Sequence, residues 1–214
     1  MNTNDPFEPA NRVVFALNRG LDRGLIKPVA QAYAAVIPEP VRDGIHNVLS
    51  NFFLPITFAN DLLQGDFNRG GETFGRFAVN STIGVGGLLD VANRWGIPPH
   101  TEDFGQTLAV WGVGDGPYLM LPLLGPSGVR DATGDLADIF LHPFTYVGLR
   151  EKDWWSVGIG AADGIDLRSR NIDLLDQIDR DSLDPYASLR SIYRQSRDEA
   201  IRNGKPEFNN LPNF

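Results

Sequence analysis

The stretch GVGDGPYLMLPLLGPSGVRD, residues 112–131, constrains the fold more than any other part of the chain. Glycine or proline recurs every few residues, so this backbone cannot sustain a long helix or a regular strand. Between them, however, the run from Tyr118 to Leu124 is almost entirely apolar. Such a segment can pack in the core of a soluble domain, with glycine and proline fixing the turns. It can also line a cavity or lie against lipid, where irregular backbone is covered by protein or faces water. The residues alone leave both placements open.

Composition narrows the class of protein. The chain has 214 residues, of which 42% are hydrophobic and 21% charged, which suits one folded domain and excludes a disordered chain. Its formal charge of -8 argues against a nucleic-acid partner, because phosphate binding needs a basic surface. The absence of cysteine removes disulfides, thiolate nucleophiles and cysteine-bound zinc. No apolar run approaches the roughly 18 residues that a membrane-spanning helix needs.

The remaining sequence predicts a succession of short amphipathic helices, and strand patterning is nearly absent. Asp5, Pro6 and Glu8 have the spacing of a capping box with proline at the first helical position, and Pro28 begins a second helical piece. Residues 41–53 carry the clearest apolar stripe, with spacings of i, i+4, i+7, i+8, i+11 and i+12.

Proline and glycine predict where these helices end. Pro55 is expected to restart the chain after that stripe, and Gly65 to end the following helix. Asp184 is expected to cap the last helix and Gly204 to close it. Further helices are predicted at about 67–82, 86–95, 102–111, 127–140, 152–179 and 184–203. We therefore expect an all-α fold with one domain over residues 1–204 and an irregular tail over residues 205–214.

Motifs for chemistry are few. The Gly-x-Gly-x-Gly string at 112–116 follows a predicted helix, whereas a nucleotide loop joins a strand to a helix. Ser127 in GPSGV lacks a nucleophile elbow and is more simply a helix cap. His46, His100 and His142 are far apart, and surface or capping roles are favoured over catalysis or metal binding. We expect no enzyme activity, no metal and no cofactor.

Two groups of aspartates have helical spacing. Asp131, Asp135 and Asp138 would share one face, which could hold a hard cation but more simply forms a solvated acidic surface. A second group, spaced alike over residues 173–179 with arginines interleaved, indicates exposed helix charge. Tryptophans 95, 111, 154 and 155 are candidates for interfacial anchors or for core residues.

Several stretches closely resemble the MlaA family, also called VacJ, of outer-membrane lipoproteins in Gram-negative bacteria. They occur in the family's order from residue 5 to about residue 204 and include DPFEPANRVVFALN, IPEPVRDGIHNVLSN, NDLLQGDF, RFAVNSTIGVGGLLDVA, FGQTLAVWGVGDGPYLMLPLLGPSGVRDATGD and DPYASLRSIYRQSRDEAIRNG. The resemblance implies an all-helical ring of short amphipathic helices embedded in one leaflet, with a central amphipathic channel.

The resemblance also implies function, partners and location. Such a protein removes mislocalised phospholipids from the outer leaflet of the outer membrane and passes them to the periplasmic lipid carrier MlaC, which maintains lipid asymmetry. It lies in the periplasmic leaflet and associates with a trimeric porin. Family members carry a signal peptide ending in an acylated cysteine, whereas this sequence has no cysteine. We expect the leader and the lipidated cysteine to be missing from this sequence rather than from the native protein.

The resemblance assigns roles to particular residues. Asn47 and Val48 match the family's Asn-Phe pair and are expected to control channel opening, but valine cannot fill a role that needs an aromatic ring. Asn80, Ser81 and Thr82 are candidates for polar contacts with the channel. The residues expected to form the channel wall or rim are Gly114, Gly116, Pro117, Tyr118, Leu121, Pro122 and Leu123, with Tyr118 near a headgroup.

Each of these assignments has a purely structural alternative, namely ordinary packing or helix capping. At the level of function, the alternative is a structural adaptor that tethers porin and periplasmic carrier without conducting lipid. A lipid hydrolase with an unrecognised site is a more distant third. Co-purified phospholipid would favour transport, porin capture without lipid would favour the adaptor, and fatty-acid release would favour the hydrolase.

Overall fold

The computed structural model describes residues 4–141 and 153–203. Over these residues the chain is mostly helical, as predicted, and one short β-hairpin interrupts the helices. The elements are α1 (Glu8–Leu21), a π-helical segment (Asp22–Ile26), α2 (Lys27–Val36), α3 (Glu39–Leu63), α4 (Phe67–Thr82), α5 (Val91–Arg94), α6 (Phe104–Val110), β1 (Tyr118–Leu121), β2 (Gly125–Gly128), α7 (Val129–Leu141), α8 (Asp153–Arg170), α9 (Ile172–Asp181) and α10 (Pro185–Arg202). None of the helices in the described ranges combines the length and apolarity needed to cross a membrane.

The first two helices form one continuous helical path through the π-helical segment. The backbone N–H of Lys27 donates to the carbonyl of Asp22, a bond that spans five residues instead of four. Pro28 lies in the first turn of α2, as predicted. The predicted capping box is wrong, because Phe7 occupies the N-cap position and makes no side-chain cap. The Asp5 carboxylate is used instead to bind α10.

Helix α3 runs through Pro55 without the predicted restart. Proline removes one backbone hydrogen bond, but the apolar residues on both sides of it keep the two halves packed as one helix. The end of α3 agrees with the prediction. Gly65 has a φ of 77°, which glycine adopts readily, and its N–H donates to the carbonyl of Leu62.

Two other predicted helices are divided or shortened. The helix predicted at 86–95 is only the four residues of α5, because the preceding loop has left-handed backbone at Val85, Gly86 and Gly87. The helix predicted at 152–179 is divided at Asn171 into α8 and α9. Asp184 caps α10 as predicted, by accepting from the backbone N–H groups of Tyr186 and Ala187. Gly204, the predicted end of that helix, lies outside the described residues, as does the tail.

The apolar run that was expected to be irregular forms the hairpin. Strands β1 and β2 are antiparallel, with Tyr118 opposite Gly128 and Leu121 opposite Gly125. Pro122 falls in the turn, so it removes no ladder hydrogen bond. Ser127 lies in β2 and its hydroxyl donates to the carbonyl of Gly128, so it is not the predicted cap.

The hydrophobic core is small and lies where the hairpin meets α1 and α10. Tyr118, Met120 and Tyr186 are buried in it, and the Tyr118 and Tyr186 rings pack edge to face with centroids 6.1 Å apart. Leu189 and Tyr193 pack against this cluster from the predicted apolar face of α10. The extent of the domain, residues 1–204, stays a prediction.

Elsewhere the helices meet through buried polar side chains. Asn60 of α3 donates to Asp138 of α7 over 2.9 Å and accepts from the Thr107 hydroxyl of α6 over 2.8 Å. Gly105 and Gly134 let α6 and α7 approach closely, since a Cβ on Gly134 would lie 2.3 Å from the Gly105 nitrogen. A larger residue at either position would force the two helices apart.

Candidate functional site

The structure divides the sequence-predicted site residues between two regions. Residues 114–123 form the approach to the hairpin, strand β1 and the start of the turn, and β1 packs against α1 and α10. Asn47 and Val48 lie on α3 beside the loop Ile83–Asp90, which we call the glycine loop. Residues 80–82 end the helix that leads into this same loop. The predicted gate and the predicted polar contacts are therefore neighbours.

Three asparagines of the N-terminal region hold the hairpin. Asn4 donates to the carbonyl of Gly116, Asn11 to that of Tyr118 and Asn18 to that of Leu121. Asn11 and Asn18 also accept from backbone N–H groups of the hairpin, each over 2.9 Å. Their side chains thus pair with backbone that would otherwise be an open strand edge. The three asparagines lie at intervals of seven residues, and this regular spacing is the sequence signal that could have predicted the contact.

Tyr118 lies in the interior of the protein, and its expected headgroup contact stays a prediction. Its side chain is 1% exposed and packs among Tyr186 and Tyr193. Burial, with a smaller contribution from the nearby Asp5 carboxylate, raises the pKa of the Tyr118 hydroxyl above its ordinary value. The Tyr118 ring is thus a member of the hydrophobic core cluster.

The turn of the hairpin is the exposed part. Leu123 and Leu124 are 69% and 77% exposed, whereas Leu121 is half-buried. Leu123 has a φ of 66°, a left-handed conformation that costs a residue with a side chain ~1–2 kcal/mol. A leucine is thus kept at an exposed position where glycine would be less strained. Gly116, Pro117 and Pro122 shape the path to this turn, and their role in a channel wall or rim stays a prediction.

The predicted gate contacts the glycine loop directly. The Asn47 amide donates to the carbonyl of Leu88 over 3.3 Å, and Val48 is partly exposed. One turn further along α3, Asn51 packs under Gly87, where a Cβ would lie 2.6 Å from the Asn51 Cβ. Asn51 also donates to the Ser81 hydroxyl over 3.0 Å. The glycine loop therefore packs directly against α3.

Asn80 is hydrogen-bonded within the protein, and its expected polar contact with the channel stays a prediction. It is buried, donates to Asp90 over 3.0 Å and accepts from the backbone N–H of Ala92 over 2.9 Å. Both ends of its amide are therefore occupied. Thr82 is exposed and its hydroxyl donates to the carbonyl of Ala78. The roles proposed for Ser81 and Thr82 remain predictions.

A buried carboxylate that the sequence reading did not single out lies beside the gate. Asp166 of α8 is 1% exposed and contacts the Nδ1 atom of His46, the Tyr33 hydroxyl and the Nε atom of Arg170. His46 was expected to be a surface or capping residue, and it is a partly exposed member of this cluster. No sequence motif predicts the cluster, because its members come from three helices.

His100 and two aspartates of the first group have structural partners, whereas Asp135 is exposed. His100 contacts Asp61 and Thr73 through Nε2, and His142 lies outside the described residues. Asp131 and Asp138 are not a solvated acidic face, because both are buried and hydrogen-bonded to other elements. Over residues 4–141 and 153–203, no group of histidine, aspartate or glutamate is arranged to hold a metal.

The second aspartate group is also not free surface charge. Asp176 binds Lys27 and Arg168, and Asp179 binds Arg19 and Arg23, so α9 is held to the first two helices by ion pairs. Sequence spacing placed these aspartates on one face correctly. It could not reveal that cations more than a hundred residues away in sequence would cover that face.

The distribution of polarity is the reverse of that in a soluble globule. Among the described residues, seven hydrophobic side chains are buried, compared with eighteen buried side chains that are polar or charged. Thirty large hydrophobic side chains of this part of the chain are exposed, including Trp95 and Trp111. Burying polar groups is favourable only when they are hydrogen-bonded to one another, as most are here. The surface thus suits an apolar solvent.

Comparison with known proteins gives a consistent result. Residues 3–200 match the family described as MlaA lipoprotein. The "Intermembrane phospholipid transport system lipoprotein MlaA" of Escherichia coli K12 is 38% identical over 96% of this chain and 82% of its own length. The protein of the same name from Haemophilus influenzae is 30% identical over 94% and 81%.

A solved structure is similar throughout. A chain from a study of the structural basis for maintenance of bacterial outer membrane lipid asymmetry has a TM-score of 0.82 and 37% identity, covering 92% of this chain and 98% of that one. An uncharacterized protein of Rickettsia felis is 34% identical over 92% of this chain and 78% of its own length.

Proposed function

The chain belongs to the MlaA lipoprotein family, and from this premise we propose that it acts in intermembrane phospholipid transport and maintains outer-membrane lipid asymmetry. It removes mislocalised phospholipid from the outer leaflet and passes it toward the periplasm. The observation that carries the proposal is the combination of an apolar exterior with a polar, hydrogen-bonded interior. This combination fits a protein whose outer surface is solvated by acyl chains.

The physical task explains why no reactive group is needed. Exposing two acyl chains of about 16 carbons to water costs on the order of 25 kcal/mol, at ~0.8 kcal/mol per methylene. A barrier of that size makes unassisted transfer very slow. A passage that keeps the tails dry and gives the headgroup polar surroundings lowers it without a chemical step. We therefore propose transfer through an amphipathic channel and no enzymatic reaction.

Two regions carry this proposed activity. The exposed hairpin turn at Leu123 and Leu124 supplies an apolar rim for acyl chains. Asn47, which contacts the glycine loop, and the neighbouring Val48 control whether the passage is open. The polar partner of Asn47 is a backbone carbonyl, so this contact can break and re-form without leaving a charge unpaired.

Location and partners follow the same proposal. The chain lies in the periplasmic leaflet of the outer membrane, anchored natively through a lipidated cysteine that follows a signal peptide. It works beside a trimeric porin and delivers lipid to the periplasmic carrier MlaC. None of these steps requires nucleotide, metal or cofactor, so net direction comes from the downstream carrier.

The test is complementation of a strain that lacks its own MlaA protein. This chain, supplied with a native leader, is expected to restore low outer-leaflet phospholipid, measured by labelling of intact cells. Leu121→Asp is expected to lose this activity because a charge enters the apolar side of the hairpin, and Leu121→Ala serves as the uncharged control. If the wild-type chain captures porin but leaves outer-leaflet phospholipid as high as in the strain that lacks MlaA, the result would support the adaptor function instead.

A further inference from the structure

The helical path from Glu8 to Val36 has one uncharged exposed face. Between Val13 and Val36, the exposed residues other than Arg23 and Gln31 are all valine, leucine, alanine, glycine or proline. They are Val13, Ala16, Leu17, Gly20, Gly24, Leu25, Pro28, Val29, Ala32, Ala35 and Val36. We call these eleven residues the outer stripe. At ~1.5 Å per residue, the stripe extends over ~35 Å.

A plain α-helix could not keep this stripe on one side. Each residue turns an α-helix by ~100°, so Val13 and Val36 would lie ~140° apart around an unbroken one. The segment Asp22–Ile26 changes this, because its turn closes on the fifth residue instead of the fourth. One additional residue per turn sets the following helix back by ~100°, which brings Val36 to within ~40° of Val13.

The π-helical turn also aligns the cations on another side of the same helical path. Arg12 binds Asp184 over 2.6 Å, Arg19 binds Asp179, and Lys27 binds Asp176 over 2.7 Å. Without the π-helical turn, Lys27 would be rotated ~80° away from Arg19, whereas with it the two lie within ~20° of each other. One local change of helix geometry therefore aligns two independent sets of residues.

We propose that the π-helical segment Asp22–Ile26 is a phase corrector that presents the outer stripe, as one continuous strip, to the acyl chains of a lipid leaflet. The distribution of charge indicates that acyl chains contact the outer stripe. The cations on this path, Arg12, Arg19, Arg23 and Lys27, are all paired with aspartates of α9 or with Asp184, and none belongs to the outer stripe. This inference rests on the proposed function, because it assumes that the chain lies in a membrane.

The absence of cysteine from the sequence makes a direct test possible. Single cysteines at Val13, Leu17, Val29 and Val36 are labelled with a nitroxide, and the full chain is reconstituted in phosphatidylethanolamine–phosphatidylglycerol vesicles. Electron paramagnetic resonance then compares collisions with oxygen, which concentrates in lipid, and with a water-soluble nickel chelate. All four labels are expected to favour oxygen. A label at Gln31, which is exposed on the cationic side, is the control and is expected to favour nickel.

Deletion of Gly24 tests the phase correction itself. Removing one residue converts the π-helical turn to an α-helical one and leaves 22 residues of plain α-helix between the positions of Val13 and Val36, which again places them ~40° apart. All four labels are therefore expected to keep their oxygen accessibility in this variant. Loss of oxygen accessibility at Val29 and Val36 in the deletion variant would overturn the inference. The scan of the undeleted chain tests the proposal even if the deletion variant fails to fold.

The outcomes separate this inference from the proposed function. If the wild-type chain restores lipid asymmetry in cells but labels at Val29 and Val36 favour the nickel chelate, the phase corrector is disproved and the transport function stands. If the labels report lipid but the chain moves none, the inference survives and the transport function fails. A chain that does not enter the vesicles at all contradicts both.

Discussion

The Oδ2 atom of Asp166 lies 2.9 Å from the Nδ1 atom of His46, the residue that precedes the Asn47–Val48 pair on α3. The same carboxylate accepts from Arg170 over 2.9 Å and from the Tyr33 hydroxyl over 3.3 Å. One buried side chain therefore joins α2, α3 and α8 immediately beside the proposed gate. Any change in this carboxylate acts on the position of α3.

Replacing Asp166 with asparagine is expected to loosen this junction. The substitution keeps the shape but removes the charge that His46 and Arg170 face, and we expect the free energy of unfolding to fall by about 2 kcal/mol. Denaturant unfolding in detergent measures the loss. Asp43→Asn is the control, because Asp43 is exposed and binds Arg170 at the surface, where a pair contributes ~1 kcal/mol or less. Equal effects of the two variants would contradict a special role for Asp166.

Asn11→Ala is expected to detach the hairpin from α1. Asn11 is buried and satisfies both the Tyr118 carbonyl and the Met120 N–H, which would then lack partners in a region that water does not reach. We expect a loss of about 2–3 kcal/mol in the free energy of unfolding. Asn18→Ala removes two similar bonds that are less buried than those of Asn11, and should cost ~1 kcal/mol. A larger loss of unfolding free energy for Asn18→Ala than for Asn11→Ala would contradict this prediction.

Leu123→Gly is expected to stabilise the protein and weaken its membrane contact. Glycine adopts the left-handed backbone of this position without strain, which should raise the free energy of unfolding by ~1 kcal/mol. Loss of the exposed leucine should reduce partitioning into vesicles, measured by flotation. The matched control is Leu124→Gly, which removes an equally exposed leucine that has no left-handed backbone. It should weaken vesicle binding without the gain in stability, and a gain in both variants would refute the strain argument.

Glu102 predicts a pH dependence of stability. Its burial raises the pKa of the carboxyl above the ordinary value of 4.5, although Gln64 and Arg69 bind it. The folded chain therefore holds this proton more tightly than the unfolded chain does. The resulting stabilisation is complete below pH 4.5 and is lost as the pH rises through the raised pKa.

The variant Glu102→Gln isolates this effect. Its free energy of unfolding should lack the decline with rising pH that Glu102 contributes, so the difference between variant and wild type should move in favour of the variant from about pH 4 to 7. Urea unfolding across that range measures the slope, which includes the pH-dependent attraction to Arg69 because that attraction is one of the interactions that set the pKa of Glu102. Parallel pH profiles for the two proteins would contradict a raised pKa.

Local sequence rules predicted those features that depend on neighbouring residues. Gly65 ends α3 because glycine tolerates left-handed backbone, and Asp184 caps α10 because its carboxylate reaches the free N–H groups of the first turn. The short amphipathic helices followed from apolar spacing, and the family from ordered motifs over most of the chain. Where local rules failed, at Pro55 and in the hairpin, tertiary packing outweighed the tendency of proline and glycine to interrupt regular secondary structure.

Only the tertiary structure decided which polar groups are buried together. Asp5 has the spacing of a helix cap, yet its carboxylate binds Tyr186 and Arg190 from the other end of the chain. Burial alone would raise the pKa of Asp5, but these hydrogen bonds outweigh it and lower that pKa. In the same way, Asp166 meets His46 across 120 residues of sequence. A charged side chain carries no local sign of its distant partner, because the pairing energy exists only once both are brought together and removed from water.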